Sequence, residues 1–229
     1  MLKITNHNLV MTKIVKAIYS DISVGSLLGF KGGTALYLFY NLPRFSVDLD
    51  FDLLDDTKKD LVFHKVGEIV RRFGELRDER EKYFNFFWLI SYEKGQKQIK
   101  VEISKRNFDS SYEVKNYLGL PALIMKKEDM FAHKLSALLE RKVLANRDIF
   151  DIWFMLDRNW DVNWNIIESR FKISPIKYLE RCVAFLEKDS PERILAGLGE
   201  LLDNKTKAWV KEHLLADTIF LLKVRLKNT

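Results

Sequence analysis

The stretch Ser46-Val47-Asp48-Leu49-Asp50-Phe51-Asp52-Leu53 decides the fold, because its apolar and polar residues alternate without a break. Successive side chains of a β-strand point to opposite faces of the sheet. A strand here therefore has one apolar face and one face that carries three aspartates. Asp48 and Asp50 lie two residues apart, roughly 7 Å along the backbone, so their carboxylates can converge on one hard cation.

Two interpretations of this acidic face stay open. Carboxylates so close together repel one another, and without a cation one of them is driven toward protonation. Aspartate is also a poor strand former, and local preferences are often overridden at functional sites. The alternative is an exposed acidic edge strand, which resists pairing with another chain. We expect Asp52, the farthest along, to be merely solvated.

A second strand, residues 98–104, supplies a third carboxylate. Its apolar residues alternate with three polar ones, which then share the opposite face: Lys100, Glu102 and Ser104. Glu102 beside Asp48 and Asp50 gives an oxygen-ligand set suited to Mg²⁺. The alternative is an exposed charge pattern of Lys100 and Glu102 without a ligand.

The remaining periodicity predicts an α+β fold in two domains. Helical spacing marks residues 9–21, 35–40 and 57–73, and residues 83–92 form a hairpin with 98–104 through a Lys94-Gly95-Gln96 turn. After Pro121 the pattern is helical, over about 126–142, 146–158, 164–171, 175–187, 191–203 and 206–226. We therefore expect a mixed α/β domain at 1–120 and an all-helical domain at 121–229.

Composition sets the broad class. With 229 residues, 47% hydrophobic and 31% charged, the chain is expected to fold as a globular protein and not to be disordered. A net charge of +6 weakly favours phosphate-rich partners. The one cysteine, Cys182, cannot form an intrachain disulfide and is expected to be a buried hydrophobe. We find no signal peptide and no membrane span, and expect a cytoplasmic protein.

A glycine turn, Gly32-Gly33-Thr34, opens the helix at 35–40. Glycines let the backbone approach a phosphate closely, and a helix N-terminus offers free N–H groups. Thr34 can bind a phosphate or cap the helix. Taken alone, the pair of glycines fits a plain turn equally well.

Two of the later helices carry charged residues at regular spacing. Lys127, Lys134 and Arg141 lie seven residues apart and form a basic line along the helix at 126–142. Lys134 can pair with a triphosphate as a mobile point charge, or the line is a basic border whose stems cover apolar surface. On the helix at 146–158, Asp148 lies at the border of the apolar stripe and Asp151 is expected one turn on, farther from the core.

Together these motifs resemble one family. KGGTAL at 31–36, followed by R-x-S-x-D-x-D-x-D at 44–52, resembles the AbiEii/AbiGii (MenT-like) toxins of the DNA polymerase β-like nucleotidyltransferase superfamily. HKLSAL at 133–138 and the stretch 141–151 with its R-D-x-x-D are similar to that group's later motifs. The resemblance covers about 30–155. Two departures are Gly33, where the superfamily usually has serine, and Glu102, where aspartate is commoner.

The resemblance implies a fold and a reaction. It implies a polymerase β-like core of mixed twisted sheet and flanking helices, with the helical domain completing the active-site cleft. An acceptor hydroxyl attacks the α-phosphorus of an NTP and pyrophosphate leaves, with two Mg²⁺ ions as cofactors. The metal ligands are then Asp48, Asp50 and Glu102.

The resemblance also implies the other site residues. The residues that it implies as contacts of the nucleotide are Gly32, Gly33, Thr34, Arg44, Ser46, Lys134, Arg141 and Asp151. Lys134 takes the β/γ-phosphate end. An essential aspartate is implied on the helix predicted at 146–158. Helical geometry favours Asp148 over Asp151 for this role, and either carboxylate can orient Lys134.

The resemblance further suggests biological partners. It implies the toxin of a type IV-like (AbiE/MenT-type) toxin–antitoxin pair of the abortive-infection kind, with an antitoxin encoded nearby, and an RNA such as tRNA or a protein as acceptor. One alternative is a nucleotidyltransferase that modifies a small molecule such as an antibiotic. Another is a nucleotide-binding module without catalytic activity.

Overall fold

The computed structural model describes residues 4–95, 98–141, 143–188 and 193–228. These residues form two compact units: Met1–Asn41 with Phe45–Met125, and Leu42–Arg44 with Lys126–Thr229. The sequence placed the division at residue 120, whereas helical structure begins after Met125 because the last strand of the sheet occupies Leu120–Met125.

The first unit contains a mixed sheet and flanking helices. Its helices are α1 (Ile4–Ser20), α2 (Gly32–Tyr40) and α3 (Lys59–Arg71). Its strands are β1 (Leu28–Lys31), β2 (Asp48–Leu53), β3 (Glu75–Glu81), β4 (Asn85–Ser91), β5 (Ile99–Ser104), β6 (Tyr112–Tyr117) and β7 (Leu120–Met125).

The seven strands lie in the order β3-β4-β5-β2-β1-β7-β6. β2 pairs in parallel with β5 and β1 in parallel with β7, while the other neighbours are antiparallel. The acidic strand β2 is thus central, so the alternative of an exposed edge strand is wrong. Its apolar side, with Leu49 and Phe51 fully buried, faces the core that α1 and α3 complete.

The predicted hairpin of the aromatic strand with the next strand is confirmed by the antiparallel pairing of β4 with β5. Of its predicted turn, Gln96 lies outside the described residues. β1 occupies a stretch for which the sequence pattern predicted neither a helix nor a strand. There Gly29 makes room for a neighbouring side chain, since a Cβ would come 2.1 Å from Cε1 of Tyr112.

The second unit is helical. Its helices are α4 (Lys127–Glu140), α5 (Asn146–Asp157), α6 (Trp164–Phe171), α7 (Pro175–Lys188), α8 (Asn204–Glu212) and α9 (Leu214–Lys227). α9 packs against α5 and α7, and the buried Cys182 lies in α7 as expected. The α+β class predicted from the sequence is confirmed.

Two of the predicted helices are wrong in detail. In the predicted helix 191–203, residues 191 and 192 lie outside the described residues, and the rest forms turns and a short 3₁₀ helix at Gly199–Leu201. Gly197, with φ +66°, adopts a left-handed conformation that ends regular helix. The predicted helix 206–226 is two helices that meet at His213. Over the described parts of the chain, we find no helix with the length and apolar character needed to span a membrane.

Candidate active site

The pairing of two parallel strands brings the predicted acidic residues together. In the register of β2 against β5, Asp48 lies opposite Lys100 and Asp50 lies opposite Glu102. All four residues point away from the buried apolar side of the two strands. The three carboxylates that the sequence grouped therefore share one face of the sheet.

Lys100 supplies positive charge among these carboxylates. Its Nζ lies 3.4 Å from Oδ2 of Asp48 and 3.7 Å from Oε2 of Glu102. Burial lowers the pKa of Lys100, but Asp48, Asp50 and Glu102 outweigh burial and raise it above its ordinary value. The ammonium group is therefore charged at neutral pH.

Asp50 remains poorly compensated despite this lysine. Burial raises the pKa of Asp50, and the neighbouring charges of Asp48 and Glu102 raise it further, whereas Lys100 and Lys31 oppose the rise. The net direction is upward, so the two lysines do not offset the burial and the like charges. An additional cation at this face would stabilise the ionised form of Asp50.

The donor set fits a hard divalent cation in chemistry, since it consists of carboxylate oxygens. Glu102, however, accepts a hydrogen bond of 2.5 Å from Nδ2 of Asn85 and faces Lys100. Within the ranges that the structure describes, no group of three or more His, Cys, Asp or Glu side chains is placed to hold a metal ion. Asp48 and Asp50 fit as a pair of ligands, and Glu102 would join them by leaving Asn85.

The glycine turn lies directly against Asp50. Gly32 has φ +79°, which favours glycine, and a Cβ at this position would come 2.7 Å from Oδ2 of Asp50. Gly32 is also the first residue of α2, whose opening N–H groups lack partners within the helix. The turn therefore gives the carboxylate space and brings free backbone donors next to it.

Thr34 connects this turn to the acidic strand. Its buried hydroxyl donates a hydrogen bond to the backbone carbonyl of Asp48, so it fixes α2 against β2 and does not cap the helix. Ser46 is buried just before the strand. Phosphate binding by Gly33, Thr34 and Ser46 stays a prediction.

The expectation that Asp52 is merely solvated is wrong. Asp52 is 6% exposed. It forms an ion pair with Lys31 and accepts a hydrogen bond of 2.7 Å from the hydroxyl of Tyr112. The cause is the antiparallel pairing of β1 with β2, which places Gly29 opposite Asp52 and so leaves space for the tyrosine ring. Asp52 is committed to structural contacts that Asp48 and Asp50 do not share.

In the second unit, Lys134 of α4 is held by two aspartates of α5. Its Nζ lies 3.0 Å from Oδ1 of Asp148 and 2.7 Å from Oδ2 of Asp151. Arg44 donates two hydrogen bonds to Asp151, from Nε to Oδ1 at 2.6 Å and from Nη2 to Oδ2 at 2.7 Å. Nε of Arg141 forms an ion pair of 2.7 Å with Oδ2 of Asp148, without the geometry of a hydrogen bond. We call these five residues the ion network.

Two members of the ion network, Lys134 and Asp151, have shifted pKa values. Burial lowers the pKa of Lys134, but Asp148 and Asp151 outweigh burial and raise it. Burial likewise raises the pKa of Asp151, but Arg44 and Lys134 outweigh it and lower that pKa. Three cations face two anions, so the network carries one excess positive charge. Arg141, with 43% of its side chain exposed, is its most accessible member.

The position predicted for Asp151 is wrong. The sequence placed it farther from the core than Asp148, yet Asp151 is 0% exposed and Asp148 1%. Arg44, itself buried, covers that side of α5 and binds the carboxylate. Both Asp148 and Asp151 contact Lys134, which is compatible with the predicted role of orienting it; that role stays a prediction. Nucleotide contacts by Arg44, Arg141 and Asp151 stay predictions.

Sequence reasoning missed several partners of the site residues. The alternation of β5 placed Lys100 on the face of Glu102, but only the register puts it beside Asp48. Asn85 and Tyr112, which bind Glu102 and Asp52, carried no motif at all. Their roles depend on strand pairings that local periodicity does not specify.

Comparisons with known proteins agree with these motifs. A family model described as "Nucleotidyl transferase AbiEii toxin, Type IV TA system" matches residues 14–209. The fold is similar to that of an H. pylori protein assigned as a nucleotidyltransferase, with a TM-score of 0.63 and 23% identity over 100% of this chain and 96% of that chain. It is also similar to JHP933 from Helicobacter pylori, with a TM-score of 0.61 and 24% identity over 100% and 94%. At such identities the likeness shows the fold. No curated protein matches the chain.

Proposed function

The chain belongs to the AbiEii family of nucleotidyltransferase toxins of type IV toxin–antitoxin systems, and from this we propose that it transfers a nucleoside monophosphate from an NTP to a hydroxyl of an RNA acceptor such as tRNA. The acceptor oxygen forms a bond to the α-phosphorus, the bond to the bridging oxygen of the leaving group breaks, and pyrophosphate is released. The hydroxyl proton leaves to a carboxylate or to water. An antitoxin encoded beside the gene would restrain this activity.

One observation supports the proposal above all others. The register of β2 against β5 gives Asp48, Asp50 and Glu102 a common face, and Gly32 brings the first turn of α2 against Asp50. Carboxylates beside the unpaired N–H groups of a helix N-terminus combine a cation-binding group with an anion-binding one. A nucleoside triphosphate that binds together with a metal ion needs both kinds of group.

The residues of the first unit take these roles in the proposal. Asp48 and Asp50 would hold Mg²⁺, and Glu102 would complete the ligand set. When bound, Mg²⁺ lowers the pKa of an attacking hydroxyl and offsets the charge of a leaving pyrophosphate. Gly32 and Gly33 would offer backbone N–H groups to phosphate oxygens. Their fixed positions orient the triphosphate without a flexible side chain.

In the proposal, the ion network of the second unit supplies positive charge for the phosphates of the nucleotide. Lys134 and Arg141 would bind phosphate oxygens of the nucleotide. Asp148 and Asp151 hold Lys134 at a defined point, and Arg44 holds Asp151. A cation that is already held in place loses little conformational freedom on binding. Lys134 should therefore bind phosphate more tightly than a mobile surface lysine would.

The test is incubation of the protein with each of the four α-labelled NTPs, Mg²⁺ and total tRNA, with an aminoglycoside in a parallel reaction. We expect label to move to tRNA and the transfer to stop when Mg²⁺ is chelated. Label on the aminoglycoside would assign the small-molecule alternative instead. If calorimetry finds no Mg²⁺-dependent NTP binding, the non-catalytic module is the better description.

The toxin role has a separate test. Induced expression should arrest growth of a bacterial host, and co-expression of the neighbouring gene product should restore it. An Asp48→Ala variant serves as the matched control, because we expect it to keep the fold and to lose the transfer. Growth arrest that persists with Asp48→Ala would separate toxicity from nucleotide transfer.

A further inference from the structure

The first unit exposes a small aromatic surface at the β3 side of its sheet, where the β3–β4 turn lies beside the segment that follows β5. The turn between β3 and β4 carries Tyr83, which is 86% exposed, and Phe84, which is 54% exposed. The segment that follows β5 adds Arg106 and Phe108. We call these four residues the aromatic edge.

The aromatic edge is ordered by its own contacts. The rings of Tyr83 and Phe84 meet edge to face, with centroids 4.6 Å apart and planes at 89°. The guanidinium of Arg106 lies 5.6 Å from the ring centroid of Phe84 and 5.5 Å from that of Phe108. The backbone N–H of Lys105 donates a 2.8 Å hydrogen bond to the carbonyl of Phe84. The turn and the segment after β5 therefore hold each other in place.

Packing in the hydrophobic core does not account for these rings, because Tyr83 and Phe84 are exposed. Scattered exposed apolar residues are ordinary on protein surfaces, but here two adjacent rings and a cation form one continuous patch. Lys105 is neutralised by Glu81, with Nζ 3.0 Å from Oε1. Arg106 forms no ion pair with a carboxylate in the part of the chain that the structure describes. The patch thus presents stacking surfaces beside an arginine that is not held by a carboxylate of the described residues.

The position of the aromatic edge connects it to the carboxylates. Asn85, next to Phe84, starts β4, lies opposite Ser104 and donates its side-chain hydrogen bond to Glu102. A cavity of about 550 Å³ at the same end of the sheet is lined by Asp52, Arg106 and Phe108, among others. The surface therefore begins about three residues, roughly 10 Å, beyond Glu102 along the strand direction.

We propose that the aromatic edge binds a single-stranded segment of an RNA, with bases stacked on Tyr83 and Phe84 and a phosphate on Arg106. Aromatic side chains beside basic ones are the usual means of holding unpaired bases, because every base has a π face. In this role the edge would hold the acceptor, and this part of the inference rests on the proposed transfer reaction. Binding itself does not.

The charges near the aromatic edge define the kind of binding expected. Glu81 pairs with Lys105, and three aspartates, Asp52, Asp56 and Asp109, line the cavity beside Arg106. Stacking should therefore supply most of the affinity, with Arg106 as the main phosphate contact. One such contact with a single strand gives a salt slope of about −0.7 in log K against log[salt].

The test measures fluorescence anisotropy of a labelled single-stranded RNA of about ten nucleotides with the full chain and without NTP. We expect Tyr83→Ala and Phe84→Ala each to weaken binding at least about 5-fold, the lower end for loss of one stacking ring. Arg106→Ala should reduce the magnitude of the salt slope by about 0.7. A duplex of the same sequence should bind more weakly than the single strand, because its bases are not free to stack.

Phe220→Ala is the matched control, because Phe220 is a 64% exposed ring of α9 in the second unit. It should bind RNA as the parent does. Circular dichroism checks that each variant is folded, and calorimetry checks that Mg²⁺-dependent NTP binding is unchanged in the Tyr83 and Phe84 variants. That second measurement separates failure of the RNA surface from failure of the proposed transfer.

Three results would overturn the inference. One is a parent chain that does not bind the single strand, and another is equal binding by the parent and the folded Tyr83→Ala and Phe84→Ala variants. The third is loss of binding to the neighbouring gene product in these variants while RNA binding persists, which would make the aromatic edge a protein-docking surface. RNA binding that depends on the aromatic edge in a chain without transferase activity would keep this surface and refute the reaction.

Discussion

Asp50 and Glu102 lie directly opposite each other on two neighbouring parallel strands, β2 and β5. The pairing places the aspartates of β2 beside β5, which carries one lysine and one glutamate on the same face. Lys100 reaches Asp48 and Glu102, yet the pKa of the half-buried Asp50 is still raised. Such accumulated negative charge is unfavourable for the isolated protein and useful for binding a cation.

Replacement of Asp48 by alanine should abolish nucleotide transfer and leave thermal unfolding nearly unchanged. Asp48 has Lys100 as a partly exposed partner, so little stability depends on it, whereas a lost metal ligand should reduce the rate more than about 100-fold. The measurement is transfer of labelled NMP beside a thermal unfolding curve. Asp60→Ala, at an exposed acid in the first turn of α3, is the control and should remain active. A large fall in melting temperature for Asp48→Ala alone would indicate a structural acid.

Much of this site could be predicted from local sequence, because alternation identifies both faces of β2 and of β5. Helical spacing likewise identified α4 and α5. β3, by contrast, reads Glu-Leu-Arg-Asp-Glu-Arg-Glu. It shows little apolar alternation because it is an edge strand, and its existence depends on pairing with β4.

The contacts between distant residues could not be predicted. Arg44 binds Asp151 across 107 residues of sequence, and this contact is what buries an aspartate that helical spacing placed nearer the surface. The same holds for Lys100 and Asp48, which are joined by a parallel register. Periodicity gives the face of each residue but not the partner that lies on it.

Gly32→Ala should lose both stability and activity, whereas Gly119→Ala should lose stability alone. Both glycines have positive φ, at +79° and +87°, so an alanine costs each roughly 1–2 kcal/mol. Only at Gly32 would the new Cβ displace a carboxylate, that of Asp50; at Gly119 no atom lies within 4 Å. Unfolding in denaturant and NMP transfer are measured for both. Equal activity of the two variants would contradict a role for the space beside Asp50.

Lys100→Met should strengthen Mg²⁺ binding. The ammonium lies among the same carboxylates that we propose as metal ligands, so its removal takes away a competing charge. Two unit charges 4 Å apart interact by about 4 kcal/mol at an effective dielectric constant of 20. Solvent screening reduces this at a partly exposed site, and we expect a gain of roughly 10-fold in affinity.

The rise in melting temperature on addition of Mg²⁺ measures this gain, since a ligand that binds the native state stabilises it more at a given concentration when its affinity is higher. Lys65→Met is the control: this lysine lies on α3 and pairs with Glu68. Its response to Mg²⁺ should equal that of the parent. A weaker Mg²⁺ response in Lys100→Met would mean that Lys100 supports the site and does not compete with the cation.

Asp151→Ala should be strongly destabilising, because it leaves the buried Arg44 and the half-buried Lys134 with one anion fewer. Removing one partner of a buried ion pair typically costs about 3–5 kcal/mol. Asp157→Ala, at the exposed end of α5 where the carboxylate lies 3.6 Å from Arg158, should cost less than about 1 kcal/mol. Denaturant unfolding of both variants decides the point. A loss for Asp151 no larger than that for Asp157 would show that the ion network is not structural.

The stabilisation by Asp151 should depend on pH in a defined direction. Its folded pKa lies below the ordinary 3.8, because Arg44 and Lys134 outweigh burial, so its contribution is present above pH 3.8 and is lost as pH falls through the folded pKa. The folded pKa of Lys134 lies above 10.5, so its contribution is present below pH 10.5 and is lost as pH rises through the folded value. The difference in unfolding free energy between the parent and Asp151→Ala should therefore be flat between these limits and shrink in acid. A difference that grows as pH falls below 3.8 would contradict the charged state assigned to Asp151.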